Sequence, residues 1–368
     1  MKNKNLIVGC GFTGAVLANK IAADFGEDIV IIDSKDHIAG SSYDYFDENG
    51  ICIHKYGSHI FHTNNEKVWD YLKQFGGFNT YMHKVFAVID GIETTIPFNL
   101  RSLYDVFSPH LAQKLEKKLL EQFKYNTKVS ILDFKKQNDE DLKFLGEYIY
   151  DKVFLNYTTK QWGSSPESIS EAVISRVPVF ISCDKRYFQD KYQGIPLGGY
   201  TNLIKNILNN PKIKISLNTR YQDLKEKYDR VFYTGSIDEY FDYKFGQLPY
   251  RSLEFKLEEH NCEFYQSNSV VNYPNNYDFT RIHEYKYYLN NKSDKTVIMK
   301  EYPKPYEVGK NDRYYPIVNP DNQALYNKYL QEAQKLKNIY FLGRLGDYKY
   351  YDIDKSILRA LEFFEGIK

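Results

Sequence analysis

Chemistry in this chain has to come from side chains scattered along it, because the compact catalytic motifs are missing. The sequence holds no G-x-S-x-G elbow, no H-E-x-x-H pair, no C-x-x-C and no Walker loop. It does hold well-placed arginines and tyrosyl hydroxyls. Arg176 lies in a polar, aromatic stretch without a clean period, and Arg281 follows a break at Pro274 and Asn275-Asn276. Guanidinium groups bind phosphate through charge-assisted, often bidentate bonds, so two arginines and tyrosyl hydroxyls can clamp a diphosphate. Tyr157-Thr158-Thr159-Lys160-Gln161-Trp162-Gly163 sets two aromatics five apart, and Tyr314-Tyr315-Pro316 and Tyr348-Lys349-Tyr350-Tyr351-Asp352 add hydroxyls. Together these suit a nucleotide-sugar held beside a redox cofactor. His54, His59 and His62 sit in and just after an alternating run, residues 51–61. Each residue also has a plain structural reading (solvated arginine, core tryptophan, strand histidine), and spacing does not decide between the two.

The element that must position this chemistry opens the chain. The apolar run Leu6-Ile7-Val8 reads as a buried strand, Gly9-Cys10-Gly11-Phe12-Thr13-Gly14 matches G-x-G-x-x-G, and Val16, Leu17 and Ile21 continue at helical spacing. A second apolar run, residues 29–32, ends in Asp33, roughly twenty residues past the last glycine. The glycines allow a tight turn, close approach to a pyrophosphate and tight helix–strand packing. The helix N-terminus supplies N–H groups to the phosphates, and Asp33 can accept from a ribose. This combination predicts dinucleotide binding. Small-residue loops at Ala39-Gly40-Ser41 and Thr234-Gly235 could also meet a cofactor.

Length and charge narrow the class. A chain of 368 residues has room for two or three domains. Its 49 basic and 48 acidic residues leave a net charge of +1, which argues against a nucleic-acid-coating protein. No apolar run approaches a membrane span, and the N-terminus reads as a fold strand, so a cytoplasmic protein is expected. Cys10, Cys52, Cys183 and Cys262 lie far apart without metal spacing, so no metal site is expected. The 35 tyrosines and 24 phenylalanines suit sugar and base sites, although codon bias explains most of them as well.

The coarse pattern is α/β: a dinucleotide-binding Rossmann-like domain with an inserted helical domain and an inserted antiparallel β-sheet domain. Expected are a hairpin at 85–96 around Asp90-Gly91, a helical region to about residue 161, several strands over 250–302, and a last helix from Asp354. The implied domains are 1–80, 194–240 and 335–368 for the dinucleotide, 100–164 for the helices, and 81–99, 165–193 and 241–334 for the sheet. A mobile substrate loop is expected at about 170–190.

Ordered motifs carry a resemblance over essentially the whole chain. Besides the glycine motif they are His54-Lys55-Tyr56-Gly57-Ser58-His59-Ile60-Phe61-His62-Thr63, Lys160-Gln161-Trp162-Gly163, Tyr192-Gln193-Gly194-Ile195-Pro196, Gly198-Gly199-Tyr200-Thr201, Tyr250-Arg251-Ser252-Leu253, Thr280-Arg281-Ile282 and Gly343-Arg344-Leu345. The set resembles bacterial UDP-galactopyranose mutase, an isomerase. The resemblance implies bound FAD, active only when reduced, and interconversion of UDP-galactopyranose and UDP-galactofuranose without net redox. In that chemistry flavin N5 attacks the anomeric carbon and a flavin–sugar iminium opens the ring. It further implies supply of galactofuranose to surface polysaccharide, and a homodimer.

Residue roles follow from the same resemblance. Arg176 and Arg281 would bind the diphosphate, with Arg176 on the mobile loop, and His59 and His62 would lie against flavin and sugar. Tyr187, Tyr315 and Tyr350 would add hydroxyls. Tyr157, Thr158 and Trp162 would meet the base, with Asn272 near the nucleotide and His83 where an Asn is usual. The flavin would touch Gly9, Gly11, Phe12, Thr13, Gly14, Asp33, Gly40, Ser41 and Ile60. It would also touch Thr219, Thr234, Gly235, Arg251, Gly343 and Arg344, then Tyr351, Asp352, Ile353, Asp354, Lys355 and Ser356. Two departures stand out: Ala39-Gly40-Ser41 replaces Gly-Gly-Asn, and the loop from Asn272 to Arg281 is one residue shorter. An amine-oxidase-like flavoenzyme and an idle nucleotide-sugar binder are the alternatives. The first would oxidise substrate stoichiometrically, and the second would bind UDP without turnover.

Overall fold

The computed structural model describes residues 4–163 and 178–368. The chain divides into two compact units: residues 1–81, 190–250 and 315–368, and residues 82–189 and 251–314.

The first unit is organised around the opening strand, Asn5–Val8. It pairs in parallel with Ile29–Ile32 on one side and Arg230–Tyr233 on the other. Ile213–Ser216 and Ile339–Phe341 extend the edges, so the five strands of this sheet run 3-2-1-4-5 in chain order. Parallel strands are apolar because both faces are covered. Ile7, Ile29 and Ile31 face a core with the helices Phe12–Lys20, Gly199–Ile207 and Ile353–Ile367. Leu6, Ile32 and Val231 face a smaller cluster on the other side. The order reverses between Asn5–Val8 and Arg230–Tyr233, and the carboxyl ends of strands at such a reversal form a ligand crevice.

The second unit carries a sheet in the order Tyr250–His260, Thr296–Pro305, Arg281–Glu284, Val270–Asn272, Val85–Ile89, Ile92–Ile96. Asp90 and Gly91 both have positive φ, +50° and +86°, as a two-residue hairpin turn with a right-handed twist requires. The sheet is not wholly antiparallel. Val270–Asn272 joins Val85–Ile89 in parallel, because the chain reaches that edge by a long crossover rather than a hairpin.

Two domain expectations need correction. Residues 100–164 do not form a domain apart from the sheet: Leu103, Leu115 and Leu145 share one core with Val85, Ile89 and Val270. The amphipathic helices Leu100–Val106, Pro109–Gln122 and Glu140–Ile149 close over one face of the strands and share their core. The helix Pro320–Ala333, expected with the sheet domain, belongs to the first unit. The helical region is also interrupted by Thr127–Val129, which pairs with Val179–Ile181.

Candidate functional site

Two glycines of the motif in the first unit leave no room for a side chain. Gly9 has φ +104°, and a Cβ there would lie 2.1 Å from Thr234 Oγ1; one on Gly14 would lie 2.0 Å from the Gly9 carbonyl. Gly40, at φ +53°, approaches Gly11 closely enough that its Cβ would sit 3.1 Å from the Gly11 Cα. Gly343, at φ +87°, packs on Thr13, whose hydroxyl donates to the Ser356 carbonyl. Bare backbone therefore lines the N-terminus of Phe12–Lys20, the surface a pyrophosphate needs. Thr234 holds the neighbouring strand end by donating Oγ1 to Val8 O. Asp33 ends its strand as expected, with a structural duty as well. Its carboxylate accepts Cys10 N at 2.8 Å and Lys35 N at 2.9 Å, and Thr219 N donates to its carbonyl. A carboxylate has about four lone-pair sites, so a ribose hydroxyl can still be accepted.

Around this cradle, Phe12 is buried edge-on to Tyr200, so only its backbone can serve a cofactor. Ser41 is exposed in a short helical turn, Ile60 is part-buried, and Gly235 turns tightly against the Tyr233 ring. Arg344 donates Nε and Nη2 to the Tyr351 carbonyl, and its guanidinium lies 5.9 Å from the Tyr350 ring. Tyr315 stacks on Tyr350 at 5.1 Å. Asp352, Ile353, Asp354, Lys355 and Ser356 start the last helix, where Thr63 Oγ1 donates to Asp354.

Two histidines of the first unit are held in defined tautomers. His59 Nδ1 meets the Gly57 carbonyl at 2.8 Å; a carbonyl only accepts, so Nδ1 carries the proton and Nε2 the lone pair. Its backbone N donates to His54 Nδ1. His62 Nδ1 lies 2.9 Å from an Asp190 oxygen, and Asn64 holds the other oxygen. Asp44, Cys52 and His54 bring possible metal ligands within 4.8 Å of one another. Both Asp44 oxygens, however, accept the amides of Tyr200 and Thr201 at a helix start. His54 Nδ1 already accepts an N–H, so its Nε2 is the protonated nitrogen of the neutral ring. The cluster braces the fold, and we assign no metal to it.

In the second unit, cross-strand register brings two of the residues expected at the substrate into one row. Asn272 faces Arg281, and Arg281 faces Glu301. Paired residues share a sheet face, so the three form a row. Glu301 is 1% exposed and accepts from Arg281 Nε at 2.9 Å and His283 Nε2 at 3.2 Å. Burial alone would raise its carboxyl. The Arg281 charge and the bonds from His283 and Arg281 outweigh that and push it down to about 2. Burial lowers His283 despite Glu301, so Arg281 is the counter-charge. Asn272 Oδ1 is buried without a hydrogen-bond partner among the described residues, an acceptor that a ligand N–H or O–H would satisfy.

Tyr157, Thr158 and Trp162 sit on the helix Asn156–Trp162, with Thr158 buried. His83 is buried between Tyr187, 5.9 Å away, and Phe188, also 5.9 Å away and near parallel. Arg251, expected at the flavin, lies in this unit. Its Nε and Nη2 bond the carbonyls of Gln161 and Lys160, so it caps the helix end. Arg176 lies outside the described residues, as does the adjoining part of the expected loop. Sequence reasoning missed Glu301 and His283. Glu301 follows an apolar strand beside Lys300 and reads like a solvated strand end.

The titration of His59 is the direct check on its environment. Burial, then the neighbouring His54 ring and the Arg344 charge, push its pKa down to about 3, below its ordinary 6.5. Its folded value lies below its unfolded one, so this residue removes stability progressively as pH falls from about 6.5 to about 3. In NMR spectra its ring should stay neutral from pH 8 to about 4.5; a midpoint near 6.5 would contradict the arrangement.

Comparison with known proteins agrees with this layout. A family model described as UDP-galactopyranose mutase matches residues 152–350, and one described as NAD(P)-binding Rossmann-like domain matches residues 7–75. The chain is 38% identical to a Klebsiella pneumoniae protein named probable UDP-galactopyranose mutase, over 98% of this chain and 94% of that one. It is 37% identical to the dTDP-fucopyranose mutase of Escherichia coli, over 98% and 97%, and 37% identical to a UDP-galactopyranose mutase of Mycoplasma genitalium, over 97% and 93%. A crystal structure of reduced UDP-galactopyranose mutase shares the fold with TM-score 0.74 at 17% identity, covering 100% of this chain and 94% of that one. The chain belongs to the UDP-galactopyranose mutase family.

Proposed function

We propose that this protein binds FAD and interconverts UDP-galactopyranose and UDP-galactofuranose. The observation that carries the reading is the row Asn272, Arg281, Glu301. A buried carboxylate takes Nε of Arg281 and so orients the guanidinium beside Asn272, the kind of fixed cation that phosphate recognition uses. The bare-backbone cradle at Gly9, Gly11 and Gly14 fits the FAD pyrophosphate. When bound and reduced, FAD supplies the nucleophilic nitrogen that attacks the anomeric carbon, with no net redox.

The chain's own residues then have separable tasks. Arg281, with Arg176, holds the diphosphate as it departs and returns, keeping UDP in place while the sugar ring is remade. Tyr157, Thr158, Trp162 and His83 hold the base, and Tyr187, Tyr315 and Tyr350 offer hydroxyls to the phosphates. His59 and His62 lie toward flavin and sugar, with Asp190 orienting His62. The product supplies galactofuranose for surface polysaccharide, made by a cytoplasmic homodimer. Among the described residues no helix is long and apolar enough to cross a membrane.

Turnover in the two flavin states tests the reading. Dithionite-reduced protein should convert UDP-galactofuranose to UDP-galactopyranose, followed by chromatography, and oxidised protein should not. Equal rates would contradict it, and faster turnover of dTDP-fucopyranose would move the substrate assignment to the activity named for the Escherichia coli relative. Gly9→Ala places a Cβ on Thr234 at positive φ, a strain of about 1–3 kcal/mol. It should lower FAD affinity by about tenfold or more, read as a nearly colourless purified protein; full flavin content would remove the cradle assignment.

A further inference from the structure

We infer that Lys160 is a positioning residue for the nucleotide: its ammonium ties the helix bearing Tyr157, Thr158 and Trp162 to the loop between Asn272 and Arg281. The inference rests on the nucleotide-sugar reading above and adds a residue to it. Lys160 Nζ donates to three backbone carbonyls of one loop, Tyr273 at 2.7 Å, Phe279 at 3.0 Å and Tyr277 at 3.1 Å. An ammonium has three N–H donors, so these carbonyls account for all of them. Its anchor is loop backbone; burial pushes its pKa down to about 8, against the opposing charge of Asp278, so the ammonium form still prevails at neutral pH.

The loop needs such a donor. It is irregular, with Pro274 and with Asn276 at φ +64°, and three of its carbonyls converge on one ammonium instead of on a strand ladder. Tyr273 N bonds Thr280 O across its base, and the rings of Tyr273, Tyr277 and Phe279 pack pairwise at 5.0 Å. Its two ends lead directly into Asn272 and Arg281.

The helix is gripped at both ends. At its start, Asn156 Nδ2 donates to Asn275 Oδ1 at 2.7 Å, and Asn275 Nδ2 donates to the Lys152 carbonyl. At its end, Arg251 bonds the carbonyls of Gln161 and Lys160, and Gly163 at φ +67° turns the chain where a Cβ would strike that guanidinium. With Lys160 in place, the base-side residues and Arg281 keep one spacing. Without it, the loop carbonyls lose their donor and that spacing relaxes.

Lys286 supplies a control. It is fully buried where Lys160 is half-buried, but it likewise bonds backbone carbonyls, those of Glu263 and Ser293, and the nucleotide reading gives it no task. The experiment uses the full chain with FAD bound and reads UDP affinity by calorimetry, with KM and kcat for UDP-galactofuranose. Lys160→Met should raise the Kd for UDP and the KM about tenfold, with kcat changed less than about threefold. Lys160→Arg, which keeps charge and donors, should recover most of the affinity. Lys286→Met should lower the melting temperature and leave UDP affinity unchanged. If Lys160→Met does not fold, Lys160→Gln takes its place with the same expectation. Wild-type affinity in a folded Lys160 variant, or an equal loss in Lys286→Met, would overturn the inference. Wild-type protein that fails to bind UDP would overturn the nucleotide-sugar reading itself, before any variant is compared.

Discussion

A buried carboxylate organises the row of strand residues Asn272, Arg281 and Glu301. Glu301 lies almost fully out of water, with Arg281, His283 and Thr280 as its hydrogen-bond donors. Leaving such a charge without its partner costs about 3–5 kcal/mol, whereas replacing the whole group by well-packed apolar residues is often neutral. Stability alone therefore gives little reason for the arrangement. Orientation gives a better one. The guanidinium is held through Nε, and its position in the strand ladder puts it beside Asn272. His283 stays neutral, so the carboxylate's charge is committed to Arg281.

The first unit meets a different constraint, which is steric. A pyrophosphate can sit on a helix N-terminus only where no Cβ intervenes, and Gly9, Gly14, Gly40 and Gly343 each stand where a side chain would strike a neighbouring atom or adopt positive φ. Asp33 then does two things at once: it ties down the Cys10 amide and ends its strand facing the crevice. The two units thus differ in construction at these positions, one by removing atoms and the other by burying a charge.

These differences explain what the sequence made legible. The glycine motif could be read because its steric logic is local: strand, turn, helix and acid fall within about thirty residues. The Asp90-Gly91 hairpin was readable for the same reason. The shared core of the second unit was not, since the amphipathic faces at Leu103, Leu115 and Leu145 announce that they need cover without saying that Val85 and Val270 supply it. Nor were Glu301, Lys160 and Arg251. Glu301 resembles a solvated strand residue, and cations that bond backbone carbonyls leave no complementary residue in the chain to betray them. Resemblance assigned Arg281 to the diphosphate; only the ladder register brought out the residue that aims it.

The claim that Glu301 acts through Arg281 is tested most directly by a double-mutant cycle on kcat/KM for UDP-galactofuranose with reduced protein. Glu301→Gln and Arg281→Ala should each lower it, and the double variant should be little worse than Arg281→Ala alone. That pattern corresponds to a coupling of about 1–3 kcal/mol. If the two losses simply add, the carboxylate does not aim the guanidinium, and the account of the substrate site is wrong.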